Sequence, residues 1–344
     1  MLVPMLLGPN QPPRFYRGGQ GISRLRGLPI LADNLPEDFV GSTTEVASGE
    51  GVGLTVMADG RTLREHVAED PVGYLGDQHV SRYGADPNVL VKLLDTAERL
   101  AVHFHPNRNF ALRHLNCAHG KSEAWVVVAV SDEREADDAG HVYLGFRQEA
   151  APEVIAKWTQ DQDTDMLVGS LNRLPVQVGD TYFVPAGIPH AIGRGLTLVE
   201  LQEPTDFSVF LEWKGFDLDG LTEGHLGLGF DVALGALDYS GWDGDRLSEL
   251  AVTRPHVGQD DGVTRLFPSA ADEFFRAERL QLASSSTFSA GFAIVIATGG
   301  EGALSAGGAE VPLRLGSTVL VPYGAGECVI SGGVEAVRCL PPAP

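Results

Sequence analysis

Apolar residues along this chain fall into short runs that alternate with polar positions, and clusters of glycine, proline, asparagine and aspartate break them up. Period-two alternation over four to eight residues predicts strands, and the breakers predict the turns between them. On that pattern, strands are expected over residues 52–57, 89–95, 100–106, 123–130, 142–146, 174–178 and 182–184. Past residue 270 they are expected at 277–282, 293–297, 302–305, 317–322 and 327–330. Helical spacing is confined to a few segments. Residues 59–67 carry Thr62 as N-cap with Glu65 three positions on, a capping box. Residues 110–115, 152–158, 166–171 and 226–237 also have helical spacing, and the middle two read as an inserted helical hairpin. An acidic hairpin tip is expected at 131–140 and a linker from 238 to 254. The class is mainly β.

Composition narrows this picture. With 344 residues the chain can bury a large core and form two domains. Its 42 glycines and 21 prolines follow no period, as in a turn-rich β protein. A formal charge of −21 argues against nucleic acid or an anionic membrane as partner. It also means that an anionic substrate needs a local cluster of cations. The basic run Arg14, Arg17, Arg24, Arg26 reads as a solvated loop. Three scattered cysteines suit neither a disulfide framework nor a thiolate metal site. No run approaches the ~20 apolar residues of a membrane helix. The apolar N-terminus is short, lacks a basic start and is broken by Pro4, so no secretory signal is read there. A cytoplasmic setting is expected, as a monomer or a homodimer.

Candidate chemistry lies between residues 100 and 215. His103 and His105 sit two apart in an expected strand, so both imidazoles face one side. Glu123 opens a later strand, with Lys121 two residues before it on the same face. Gly179-Asp180 through Pro185-Ala186-Gly187-Ile188-Pro189-His190 has the form G-x5-P-x-G-x2-H, in which tight turns deliver His190 into the next strand. Imidazoles with a carboxylate suit zinc, iron, manganese or nickel. Ordinary half-buried histidines are the alternative.

Taken together, the two half-motifs resemble those of the cupin superfamily, a small β-barrel with a metal inside. Glu123 follows His105 by 18 residues, a wider gap than most cupins have. His-Pro, a helical insert and then Gly120-Lys121-x-Glu123-x-Trp125 resemble the class I mannose-6-phosphate isomerases. So do Leu90-Val91-Lys92-Leu93-Leu94-Asp95, Val199-Glu200-Leu201-Gln202-Glu203, Thr205-Asp206 and Trp213. The resemblance implies two cupin barrels: a catalytic domain over residues 1–245 with its helical insert near 152–173, and a C-terminal domain over 246–344. Gly316 to Gly324 repeats the G-x5-P-x-G pattern, but Glu327 stands where a histidine is expected, so the second barrel reads as metal-free.

The implied activity is interconversion of mannose 6-phosphate and fructose 6-phosphate through an enediol, in the route to GDP-mannose, with one Zn(2+) per chain. His103, His105, Glu123 and His190 would be the ligands, the family usually having Gln where His103 stands. Lys121 and Glu200 would be catalytic, with His119 a weaker third candidate. Lys92, Arg113 and Arg194 could meet the phosphate. An arginine that the family carries just after this stretch is replaced by Phe210. That departure keeps two alternatives open: a related isomerase or epimerase on another sugar, or a non-catalytic sugar-binding cupin.

Overall fold

A computed structural model describes residues 2–46, 49–131, 139–252 and 262–343. The chain is mainly β, with antiparallel pairing between its named strands. A six-stranded sheet runs in the order Ala251–Val252, Thr181–Val184, Glu123–Val130, Leu196–Gln202, Leu90–Asp95, Glu37–Val40. A five-stranded sheet runs Val209–Phe210, His103–Phe104, His190–Ile192, His141–Phe146, Leu171–Pro175. Together they form the first barrel. Its central strands Leu90–Asp95 and Leu196–Gln202 are buried along their whole length, as strands covered on both faces must be.

The second unit is an eight-stranded sheet dominated by Ala293–Ala306 and Cys328–Leu340. Val295 and Leu304, at opposite ends of the first of these strands, share one apolar cluster, so the sheet folds over on itself. The two units are stitched together. Met5–Leu6 pairs with Thr318–Val321, and Ala251–Val252 pairs with Thr181–Tyr182. The expected division near residue 245 is therefore crossed in both directions.

Local expectations hold where side-chain chemistry decides them. Thr62 accepts from the Glu65 amide while Glu65 reaches back to Thr62, the capping box in full. The insert is a helical hairpin, Pro152–Asp161 and Thr164–Ser170, turned by Gln162 at φ 52°.

Other expectations fail where backbone conformation overrides spacing. Residues 52–57 form no strand, because Gly51 and Gly53 at φ 79° and 92° coil the chain there. Residues 226–237 give only Phe230–Ala233 and a 3-10 turn, since Leu226, Gly227 and Gly229 all take positive φ. The strand expected at 174–178 instead runs Leu171–Pro175. In the strand expected at 100–106 only His103–Phe104 pairs. Segments 293–297 and 302–305 are one strand with an irregularity at Ala297–Gly299. The expected linker contains the helix Gly244–Leu250, and its last positions, 253 and 254, lie outside the described residues, as do 132–138 of the hairpin tip. Among the described residues no helix is long and apolar enough to cross a membrane.

Candidate metal centre and its cavity

The metal candidates are brought together by pairing across strands. His103 lies opposite His190 in the five-stranded sheet, and their rings are 4.3 Å apart. His105 follows on the same face, its ring centre 5.0 Å from His103 and 4.9 Å from His190. In the facing sheet Glu123 pairs with Val184 and Gln202. One step along, Tyr182, Trp125, Glu200, Lys92 and Phe39 form a cross-strand row.

Two glycines make this approach possible. Gly187, at φ 98°, donates its amide to the His105 carbonyl, tying the proline-glycine turn to the histidine strand. Gly120 brings the chain back beneath the insert helix Arg108–His114, where a Cβ would sit 2.6 Å from the Pro106 carbonyl oxygen.

Each imidazole donates from Nδ1 to a backbone carbonyl: His103 to Ala101 at 2.8 Å, His105 to Phe207 at 2.7 Å, His190 to Ile188 at 2.8 Å. That tautomer turns the three Nε2 lone pairs inward, the orientation metal-binding histidines use. The three residues offer ligand atoms within 4.8 Å of one another, all buried. Glu123 joins them, its carboxylate oxygens 3.0 Å from His105 Nε2 and 3.2 Å from His190 Nε2.

His190 Nε2 has no hydrogen-bond partner despite the nearby oxygen. With Nδ1 donating to the Ile188 carbonyl, a neutral His190 aims its Nε2 lone pair at that carboxylate, an arrangement that calls for a cation between them. Lys121 Nζ partly meets this demand, 2.7 Å from Glu123 Oε2 and 2.8 Å from His105 Nε2. The donor set thus fits a divalent metal: neutral imidazoles, a carboxylate, and an ammonium already drawn to them.

Electrostatics agree with this reading. Burial, then the neighbouring imidazoles and Lys121, hold His103 well below its ordinary value. Burial and Lys121 bring His105 down to about 3. Burial pushes Glu123 up, but Lys121 and the two imidazoles it touches outweigh that and hold it well below the carboxylate range. Glu200, buried and close to the charge on Glu123, is pushed up to about 7.

A cavity of about 40 Å³ is lined by His103, Lys121, Glu123 and Glu200, with Arg14, Phe15, Tyr16, Glu37, Asp206 and Phe210 also on its walls; His105 and His190 lie behind it, off its wall. It has room for an ion or a water but not for a hexose phosphate. Wider clefts, of about 660 Å³ beside the helical insert and about 710 Å³ between the two units, hold no metal-ligating cluster among the described residues.

Of the proposed substrate contacts, Lys92 lines the cavity, 2.9 Å from Glu37, 3.7 Å from Asp206 and 3.9 Å from Glu200. Arg113 is exposed on the insert helix and bonds that helix's own Asn109 carbonyl. Arg194 is exposed beside the far end of strand Glu123–Val130, a strand length of roughly 25 Å from Glu123. His119 is also absent from the cavity wall.

Phe210 stands opposite His103, its ring 5.7 Å from that imidazole and 5.1 Å from Phe15. The solvated-loop reading of the basic run holds for Arg17 but not for the other three: Arg24 is exposed yet lies on the helix Gln20–Arg26, and Arg26 and Arg14 turn inward. Arg26 forms a buried ion pair with Asp38, and Arg14 enters the cavity. Arg14, Glu37 and Asp206 are not among the site residues that spacing offers, because Arg14's partners lie 23 and 192 residues away.

No family model matches the chain. It is 25% identical over 326 residues to the mannose-6-phosphate isomerase ManA of Bacillus subtilis, spanning 91% of this chain and 94% of the relative. The crystal structure of a mannose 6-phosphate isomerase from Bacillus subtilis superposes with a TM-score of 0.76 at 20% identity, covering 98% of this chain and 99% of that one. A mannose 6-phosphate isomerase bound with zinc and yttrium gives 0.72 at 14% identity, covering 99% and 100%. The family resemblance stated from the motifs thus extends over nearly the whole chain, and the fold is shared.

Proposed function

We propose that this chain, a relative of the mannose-6-phosphate isomerases over nine-tenths of its length, is a metal-dependent aldose–ketose isomerase interconverting mannose 6-phosphate and fructose 6-phosphate. The observation that carries this reading is the set of three inward Nε2 atoms beside Glu123, each imidazole fixed by a carbonyl at Nδ1. His103, His105, Glu123 and His190 would hold one zinc ion, one of the two metals bound in a structural neighbour. When bound, zinc supplies Lewis acidity toward the sugar's carbonyl and hydroxyl oxygens.

The chain's own residues do the rest. Isomerisation takes a proton from C2 of the open-chain aldose and returns it to C1, passing through an enediol. Glu200 is the carboxyl that carries it, since a pKa of about 7 lets it accept and release a proton near neutrality. Lys121 Nζ, an ammonium inside the same cavity, donates to the oxygen on which charge develops. Phe15 and Phe210 pack edge to face on the cavity wall and give it an apolar side.

A related isomerase or epimerase on a different sugar is the second reading. It draws on Phe210 at the motif's arginine position and on Arg113 and Arg194 lying away from the cavity. Purified protein assayed on fructose 6-phosphate, before and after chelation and after zinc is restored, tests the first reading. Turnover abolished by the chelator and recovered with zinc is expected. Full activity after the metal is stripped overturns the mechanism, and turnover of other aldoses only favours the second reading.

A further inference from the structure

The geometry points to Arg14 as the residue that receives the substrate's phosphate; this rests on the isomerase reading above. Three cations line the cavity: Lys92, Lys121 and Arg14. The two lysines are sealed in, their side chains 3% and 7% exposed, whereas Arg14 keeps 18% of its side chain in contact with solvent. The reacting end of the sugar has to lie deep, beside His103, Glu123, Glu200 and Lys121. A phosphate on the far carbon then projects toward the mouth, where Arg14 is the cation. In a chain of net charge −21 an anion is held only by such a local charge.

The guanidinium already makes the kind of fork a phosphate would use. Its Nη1 and Nη2 donate to the two oxygens of Asp206 at 3.1 and 3.2 Å, a bidentate pair. Its Nε donates separately to Glu37 at 3.0 Å. Glu37 is itself fixed by the Tyr16 hydroxyl at 2.8 Å and by Lys92 at 2.9 Å. Glu37 can therefore keep Arg14 in place while the fork changes partner.

Asp206 would not be stranded by that exchange, because Lys92 Nζ already lies 3.7 Å from its Oδ1. The dianion takes the fork, Asp206 moves onto Lys92, and no buried charge is left alone. Residues 14 and 15 belong to neither helix nor strand; the Arg14 amide donates to the Asn34 carbonyl at 3.0 Å, so a shift of the segment costs that bond but opens no strand pairing. Such a shift is needed to admit a sugar phosphate to a cavity of about 40 Å³.

The test uses zinc-loaded parent protein with Arg14→Lys, which keeps the charge and loses the fork, and Arg14→Gln, which loses both. KM for fructose 6-phosphate is expected to rise about tenfold in the first and about a hundredfold in the second, with kcat within about threefold. Thermal stabilisation by inorganic phosphate should weaken in the same order, while stabilisation by a neutral hexitol stays as in the parent. A correctly folded Arg14→Lys protein with unchanged KM and an unchanged phosphate response overturns the assignment. A fall in kcat at constant KM overturns it as well, since it would place Arg14 in the chemical step. If the parent isomerises no sugar phosphate the isomerase reading fails, and the phosphate-induced stabilisation still decides whether Arg14 binds the anion.

Discussion

The two barrels carry the same turn pattern and use it for opposite ends. Gly179 to Gly187 and Gly316 to Gly324 share the G-x5-P-x-G spacing, each with its first glycine at positive φ before a four-residue strand. In the first barrel the turn delivers His190, 1% exposed, into an interior that also buries Lys92, Lys121, Glu37, Glu123 and Glu200. In the second, Glu327 is exposed and the strand begins one residue later with Cys328 inward. Among the described residues from 262 on, the buried polar side chains are only Ser317 and Thr318. Burying a charge is costly unless it is paired, so a fold retains such an interior only where the charges act. The second barrel, freed of that demand, packs Val295, Leu304, Val319 and Ile330 instead.

Substitutions at matching places should separate the two roles. Glu123→Gln or His190→Ala is expected to empty the metal site and lower kcat by about 10³-fold or more. Glu327→His in the second barrel should add no metal, because its position points to solvent. Metal analysis of the purified proteins alongside turnover decides the point, and a second equivalent of zinc in Glu327→His would break the comparison. Leu304→Ala, fully buried in the apolar core, should cost about 2–5 kcal/mol of stability and leave kcat near the parent value. Chemical denaturation and a rate assay at a temperature where both proteins stay folded would show whether stability and chemistry are indeed separate.

How much of this was legible beforehand depended on the range of the interaction. The capping box at Thr62 and Glu65 and the strand Glu123–Val130 are local, and each appears where spacing placed it. The candidate metal quartet spans 88 residues from His103 to His190, counted inclusively, yet motif spacing and family resemblance brought its members together. Arg14 had no such signal. Its neighbours in sequence, Arg17 and Arg24, are solvent-facing, and only the fold brings it to Asp206. Arg194 misled for the converse reason. It is four residues from His190, yet the chain turns at Gly195 and runs back along a whole strand before reaching Glu200. Helical spacing at 226–237 likewise gave way to glycines whose conformations no helix accepts.

The smallest effect expected concerns what a buried carboxyl costs the first barrel. Glu200 has its pKa raised from 4.5 to about 7, chiefly by burial and then by Glu123, with Lys92 and Lys121 partly offsetting this. A folded-state value above the unfolded one means that the native protein binds this proton more tightly. The stability it contributes is therefore present in full below about pH 4.5 and is lost as pH rises to about 7. Glu200→Gln removes that loss. In metal-free protein, the variant should be more stable than the parent at pH 8 by about 1–3 kcal/mol, with a smaller advantage at pH 5. Groups that do not interact with Glu200 cancel in the difference, so paired denaturation curves at the two pH values report Glu200 together with its coupling to Glu123, Lys92 and Lys121. A difference that does not change with pH would mean that its proton is held no more tightly in the native cavity than in the unfolded chain, and would remove the reason for assigning it the transfer between C1 and C2.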